Sequence, residues 1–595
     1  MENFKRIINI IPLLLIVGVM PLISYGKVDI LSGNTFMSWT GKSSEIDFFS
    51  YYRMIFSAIM SVVALIIFLI KRRELNKLNP SNEIVNNFKH IPEYKFIIVY
   101  TICILMSFVF SDYKDIAMKG FVFRYEGTIA ILSYMMLLFL SINTIDDELK
   151  SKSVIAVLTV SSVVIGVVGI CQYFGHDIFQ NLSVQKFMIP KNHDYMVGNL
   201  KFFLDENTRV YSTLGNSNYI GSYFALILPI FITLGLFAKK NRIKFIIASI
   251  INLLVLVFSD SATGVMSVAI SIFILVIFMR KKLLIEYKKV SIIAVCIFIG
   301  LLVLDFSTSK VLYTKTKNAV NEFVYEINVG KEKKKLEDVL IGGNTVQIEF
   351  KDKGLILESY NDELIFKDKN NNDLKMVFDK KNNCWNFEDK RYSDANIEFV
   401  TINESGTKFI RVNIDDDISI NLTTVNDEFK YITYGGRVID KKDIKYWGGD
   451  GLEELLTSRV YIWSRIFPLI AEKPVFGHGA DTFAAVFPQY DYVGMYKAYD
   501  RTGMIVDKAH NMYVQIAEGT GIISLIAFLG LIFVYIRDSI KRYFNSENDY
   551  NILGLAIFTG IIGYLISGIF NDSVVFIAPI FYILLGMGIS FNKRH

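Results

Sequence analysis

The chain has 595 residues, 52% of them hydrophobic and 14% aromatic, and its mean hydropathy is positive. That is too apolar for a soluble enzyme of this size and points to a polytopic membrane protein. The net charge of +5 is small and gives no reason to expect a nucleic-acid partner. The four cysteines (Cys103, Cys171, Cys296 and Cys384) contain no CxxC, so neither a zinc site nor a disulfide framework is indicated.

The first apolar run, Ile7 to Tyr25, follows Lys5 and Arg6. It resembles a signal peptide, but with no clear small-residue cleavage site it reads as a retained span. A second run, Tyr52 to Ile70, closes on Lys71, Arg72 and Arg73. Further runs fall near 95–111, 127–143, 153–171, 219–237, 243–259, 263–280, 288–305, 512–536, 551–570 and 574–591. The length criterion makes these about twelve spans. Basic residues cluster after every second run, at Lys71 to Arg73, Lys150 with Lys152, Lys239 to Lys244, Arg280 to Lys282, Arg537 to Arg542, and Lys593 with Arg594. Positive-inside then puts both termini in the cytoplasm.

Two long segments remain outside, Gln172 to Asn218 and Asp305 to about Asp507. From Val339 to Val438 the second alternates as VQIEF, LILESY, ELIFK, KMVFD, FIRVNI and ISINLTTV, broken by NNND, KKNN and NESG. Period-two patterning between turn signals reads as about eight antiparallel strands. Asp415-Asp416-Asp417 reads as a solvated turn rather than a metal site. The predicted organisation is a membrane domain at 1–305, a β-rich insert at 306–450, a helical and loop region at 451–511, and a second membrane portion at 512–595. Leu452 to Ile470 has helical spacing and would lie along the membrane surface. PVFGHGADTFAAVFPQY would form a loop and short helix on the outer face.

The stretch DKAHNMYVQIAEGTGIISLIAFLG, Asp507 to Gly530, begins polar and turns apolar for about a membrane thickness. Asn511 suits the N-cap of a helix opening at Met512. His510 would sit at its water edge. Glu518 would lie about two turns deeper, where a carboxylate is expensive unless it is paired or faces a wet cavity.

The other polar candidates fall on the same outer side: Arg124 and Glu126 in FRYEGT, Arg209 and Asn218 in TRVYSTLGNSNYIG, Arg459 and Arg465 in SRVYIWSRIF, and His478 in FGHGADTF. Arginines gathered with a histidine suit a diphosphate substrate. Arginine binds phosphate bidentately and stays charged, and histidine can take a proton near neutral pH.

In this order, TRVYSTLGNSNYIGSYF, SRVYIWSRIF, PVFGHGADTF and AHNMYVQIAEGTGIISL resemble the O-antigen ligase and polymerase family of bacterial envelope proteins. The resemblance covers most of the membrane portion, and the strand-rich stretch of about 320–440 stands outside the usual pattern. It implies a GT-C-like helical glycosyltransferase of the cytoplasmic membrane that works without a cofactor. The donor would be an undecaprenyl-diphosphate-linked glycan, and the acceptor a glycan, wall polymer or protein. It also implies that His510 acts as base or positions the acceptor hydroxyl, and that Arg209 and Arg459 hold the diphosphate. Arg124 matches an R-x-E-G motif, and Glu518 matches a recurrent acid that orients or supports. One departure stands out: Ser261-Ala262-Thr263-Gly264 occupies a place where the family often has a Ser-Arg pair. Ligase and polymerase share donor and chemistry. A lipid-linked glycan transporter, or an inactive envelope protein working through its β domain, are the readings from other classes.

Overall fold

Long apolar runs must satisfy their backbone internally in lipid, and helices do so. The structure, a computed structural model, describes residues 6–78, 91–200, 210–285, 335–361, 363–402, 406–440, 443–544 and 549–594. Six of its helices are long and apolar enough to cross a membrane: Tyr51–Glu74, Glu93–Phe110, Glu148–Tyr173, Ser217–Phe237, Ala262–Arg280 and Ile522–Tyr543. Shorter apolar helices run over Ile8–Leu22, Thr128–Thr144 and Ile552–Ser567. Arg242–Phe258 and Ala578–Arg594 occupy two more predicted runs. The predicted run at 288–305 lies outside the described residues.

Ser217–Phe237 is the most enclosed of the six, with 89% of its apolar window buried. Small residues let its neighbours come close. A Cβ on Gly264 would stand 2.5 Å from the Gly221 Cα, and one on Gly563 would stand 2.1 Å from the Ala225 carbonyl oxygen. The departure noted at Ser261 to Gly264 therefore has a packing role, since a Cβ on Gly221 would collide with Ser261 Oγ.

The predicted run at 512–536 is two helices, Met512–Thr520 and Ile522–Tyr543. They break at Gly521, whose φ of +94° lies in the region that favours glycine. The cause is a neighbouring segment of the same chain: the Ile522 N–H donates to the Pro474 carbonyl at 2.7 Å. A Cβ on Gly521 would meet the Val475 carbonyl oxygen. Hydropathy alone cannot see this break, because both halves are apolar.

The strand-rich stretch runs from Leu336 to Ile439 as two antiparallel meanders. The four-stranded one spans Leu336–Gly342 to Glu363–Asp368, and the seven-stranded one spans Met376–Asp379 to Val438–Ile439. Eleven strands thus replace the expected eight. The excess comes from short strands such as Cys384–Phe387 that a period-two count passes over. Both sheets feed one core, with Val346, Ile348 and Leu357 from the first meeting Ile397, Val412 and Ile420 from the second. Asp415 to Asp417 form the turn between Lys408–Ile414 and Ile418–Val425, and Asp415 pairs with Lys335 at 2.8 Å.

Tyr492 and Tyr496, on the helix Tyr492–Tyr499, enter that same core. The Tyr492 hydroxyl accepts from the Asn421 N–H at 3.1 Å. Thr502 Oγ donates to the Ser419 carbonyl at 2.9 Å. The sheet is thereby fastened to the segment that leads into His510.

Candidate active site

Two glycine-rich motifs meet first. The N–H groups of His478 and Gly479 donate to the carbonyls of Glu518 and Gly519, each at 2.9 Å. Ser111 Oγ donates to the His478 carbonyl and Ser107 Oγ to the Gly519 carbonyl, both at 2.6 Å. The His478 ring is buried and its Nε2 stands 3.0 Å from the Leu469 carbonyl. Burial pushes its pKa below the ordinary value. His478 is spent on holding this junction.

The same junction delivers Asp481, whose carboxylate gathers the loop before Thr128–Thr144. It accepts from Arg124 Nε at 2.5 Å and from the N–H groups of Phe121 at 2.7 Å and Glu126 at 3.1 Å. Arg124 and Asp481 are both buried. Burial opposes the Arg124 charge, but Asp481, Asp572 and Glu126 hold its pKa above the ordinary value. Glu126 is pushed up to about 7, chiefly by burial. Its Oε1 accepts from Ser573 Oγ at 2.6 Å and from the Tyr134 hydroxyl at 3.1 Å. Glu518 is buried near Asp481 and Arg124, and neither carboxyl oxygen has a hydrogen-bond partner among the described residues.

His510 lies at the start of Met512–Thr520. Asn511 caps that helix, its Oδ1 accepting from Tyr513 N at 2.9 Å and Val514 N at 3.0 Å. The cap needs an abrupt turn, and His510 makes it at φ +50°, a strained value for a non-glycine residue. Phe123 and Tyr125, which flank Arg124, and Asp481 also have positive φ. Strain of this kind collects at functional sites. The Met512 N–H donates to the carbonyls of Gly568 at 2.8 Å and Asn571 at 3.0 Å. That ties the helix start to the turn before Ala578–Arg594.

The turn supplies Asp572, whose Oδ2 lies 3.5 Å from His510 Nδ1. Asp572 is 3% exposed and His510 31%. Lys508 and Arg459 complete the group. Lys508 Nζ is 3.4 Å from the Tyr219 hydroxyl and 5.6 Å from its ring centroid. Arg459 donates through Nη1 to the Leu456 carbonyl at 3.0 Å, and its Nε is buried with no partner among the described residues. Burial opposes the Asp572 charge, but His510, Arg124, Lys508 and Arg459 hold its carboxyl below the usual range. Burial is also the largest influence on His510, pushing it down to about 4. Asp572 opposes that shift, and Lys508 and Arg459 add to it. The result is an imidazole held toward its neutral form beside the Asp572 carboxylate, with Lys508, Arg459 and Asp507 acting on it as well.

The remaining candidates divide. Arg209 lies outside the described residues. Arg465 is paired with Asp491 at 2.9 Å and held between the rings of Tyr446 and Tyr461 at 4.6 and 4.7 Å. Asn218 is exposed, and Asn216 is the cap of Ser217–Phe237. The reading of single residues overlooked Asp572, Lys508, Asp481 and Arg53. Arg53 is fully buried and donates to the carbonyls of Ile23 at 2.7 Å and Thr213 at 2.5 Å. It stacks 4.6 Å from the Phe576 ring, in the stretch that follows Asp572. A basic residue opening an apolar run on the outer side breaks the positive-inside pattern, and that signal could have revealed it.

Residues 417–529 match the family model described as O-antigen ligase. The match begins inside the seven-stranded sheet and includes Arg459, Asp481, Lys508, His510 and Glu518. No curated protein matches the chain. Over that stretch the chain is similar to the O-antigen ligase family. Its six long apolar helices are those of a multi-pass membrane protein. The family supports glycosyltransferase activity of ligase or polymerase type, with lipid-linked glycan donors in general.

Proposed function

We propose that this protein moves a glycan from an undecaprenyl-diphosphate carrier to an acceptor hydroxyl at the outer face of the cytoplasmic membrane. The anomeric centre inverts and no metal is needed. The observation that carries this reading is the pairing of His510 with Asp572 among Arg459, Lys508 and Arg124. Both termini face the cytoplasm and 306–511 lies outside, as the basic clusters imply.

The diphosphate is already a good leaving group, so the protein has mainly to position reactants and neutralise developing charge. Asp572 faces Nδ1, which leaves Nε2 to take the proton of the acceptor hydroxyl as its oxygen bonds to the anomeric carbon. The carbon–oxygen bond to the diphosphate breaks, and undecaprenyl diphosphate departs with the electron pair. Arg459 and Lys508 receive that charge, with Arg209 in the same role. A bound diphosphate also offsets the two cations that add to the depression of His510, which raises its basicity when the donor is present. Arg124 and Glu518 support the frame, and Ala262 leaves the charge work to other cations.

Ligase and polymerase differ here only in the acceptor. A transporter would place its ionisable groups near the bilayer midplane. Here His510, Lys508 and Asp572 all lie where helices begin or end, which favours transfer at a surface. Product formation by the purified protein with a lipid-linked donor tests the proposal directly.

A further inference from the structure

A cavity of about 740 Å³ opens between the seven-stranded sheet and the helical segment that precedes His510. Its volume is in the range of small-molecule sites. Tyr434, Arg437 and Val438 line it from the sheet, Tyr490 from the helical segment, and Trp39 and Tyr113 from the loops after the first and third apolar helices. Neither His510 nor Asp572 lines it. It is therefore separate from the proposed reaction centre. The two are joined by one chain, since Met504 and Ile505 line the cavity and lead on to His510.

The lining narrows the occupant. Four cationic and four anionic side chains line the cavity, so it has no net charge among the described residues. Two opposite pairs at its rim are closed on each other, Lys473 with Asp112 at 2.5 Å and Lys445 with Glu472 at 3.3 Å. Arg465 is neutralised by Asp491. Arg437 directs three hydrogen bonds at neutral oxygens, those of Tyr113 at 3.3 Å, Ala485 at 3.3 Å and Ser38 at 2.8 Å. A polyanion would find three of the four cations already paired with carboxylates. An acyl chain would have to desolvate eight ionic groups. A neutral sugar fits both features: its C–H faces stack on aromatic rings, and its hydroxyls bond to a polar rim. Val438–Ile439 is the last strand of its sheet, so it offers backbone groups along one wall.

We propose that this cleft binds a short stretch of neutral oligosaccharide and holds the acceptor glycan for the His510 centre. Its role as acceptor site rests on the transfer reading above, but its binding of sugar does not. The insert's last strands and the segment leading to His510 then form one functional unit.

The test uses the full chain in nanodiscs. The probes are oligosaccharides released from the producing organism's own surface polysaccharide, followed by saturation-transfer NMR, with polyphosphate as the anionic probe. Val438→Trp blocks the mouth from an exposed edge position, and Tyr434→Ala removes one stacking face. The expected result is sugar binding by the wild type and by His510→Ala. Val438→Trp and Tyr434→Ala should bind about tenfold more weakly or not at all, and Val438→Ala should match the wild type as a folding control. No binding by the wild type, binding of polyphosphate in place of sugar, or unchanged binding in both cleft variants would overturn the cleft. If sugar binds but no transfer occurs, the transfer reading fails and the cleft stands. If transfer depends on His510 while the cleft variants bind normally, the reverse holds.

Discussion

Asp572 places a carboxylate oxygen 3.5 Å from Nδ1 of His510, bringing the turn before the last helix against the start of Met512–Thr520. The pair is held by backbone bonds, because the Met512 N–H reaches both Gly568 and Asn571. Its chemistry is that of an oriented imidazole. Replacing Asp572 by Asn keeps the shape and removes the charge. The expected result is a fall in kcat on the order of 10²–10⁴-fold with donor KM little changed. Full activity in Asp572→Asn would remove it from the site.

Lys508 and Arg459 should act on the donor. Lys508→Met and Arg459→Met are each expected to raise the donor KM about 10- to 100-fold, the scale of one charged hydrogen bond. The loss should be smaller for a donor analogue with one phosphate. Steady-state kinetics on both donors reads this, and equal losses on both would defeat the clamp.

Arg124 and Asp481 form a buried pair, with side chains 5% and 1% exposed. Removing one partner leaves an uncompensated buried charge, which costs about 3–5 kcal/mol. Asp481→Asn should therefore lower thermal stability in detergent. The double variant Arg124→Met with Asp481→Leu should recover much of it. Additive losses in the double variant would show that the two do not act as a pair.

The depressed His510 predicts an unusual pH profile. In the free enzyme the imidazole becomes neutral above about 4 rather than near its ordinary value of 6.5. The acid limb of kcat/KM, which reports the free enzyme, should therefore lie below the ordinary histidine range. The sign for stability follows. Between 4 and 6.5 the unfolded chain binds the proton and the folded chain does not, so stability falls as pH falls through that window. His510→Gln should flatten this slope, as thermal melts across the window would read.

Much of the helical body is legible in the hydropathy, because lipid demands long apolar runs. The Asn511 cap is also legible, because local backbone chemistry fixes it. Three things escape. The break at Gly521 depends on Pro474 and Val475 docking from afar. Asp572 hides in FNDSVV, a short gap between two apolar runs, where one carboxylate reads as an ordinary turn residue. Arg465 resembles Arg459 in SRVYIWSRIF, yet the two face different surroundings, and only Asp491 tells them apart.

The most direct measurement is product formation by purified His510→Ala beside the wild type, in nanodiscs, with an undecaprenyl-diphosphate-linked glycan. The account predicts that the variant folds and binds donor but loses transfer by on the order of 10²–10⁴-fold. Transfer at the wild-type rate in His510→Ala would contradict it.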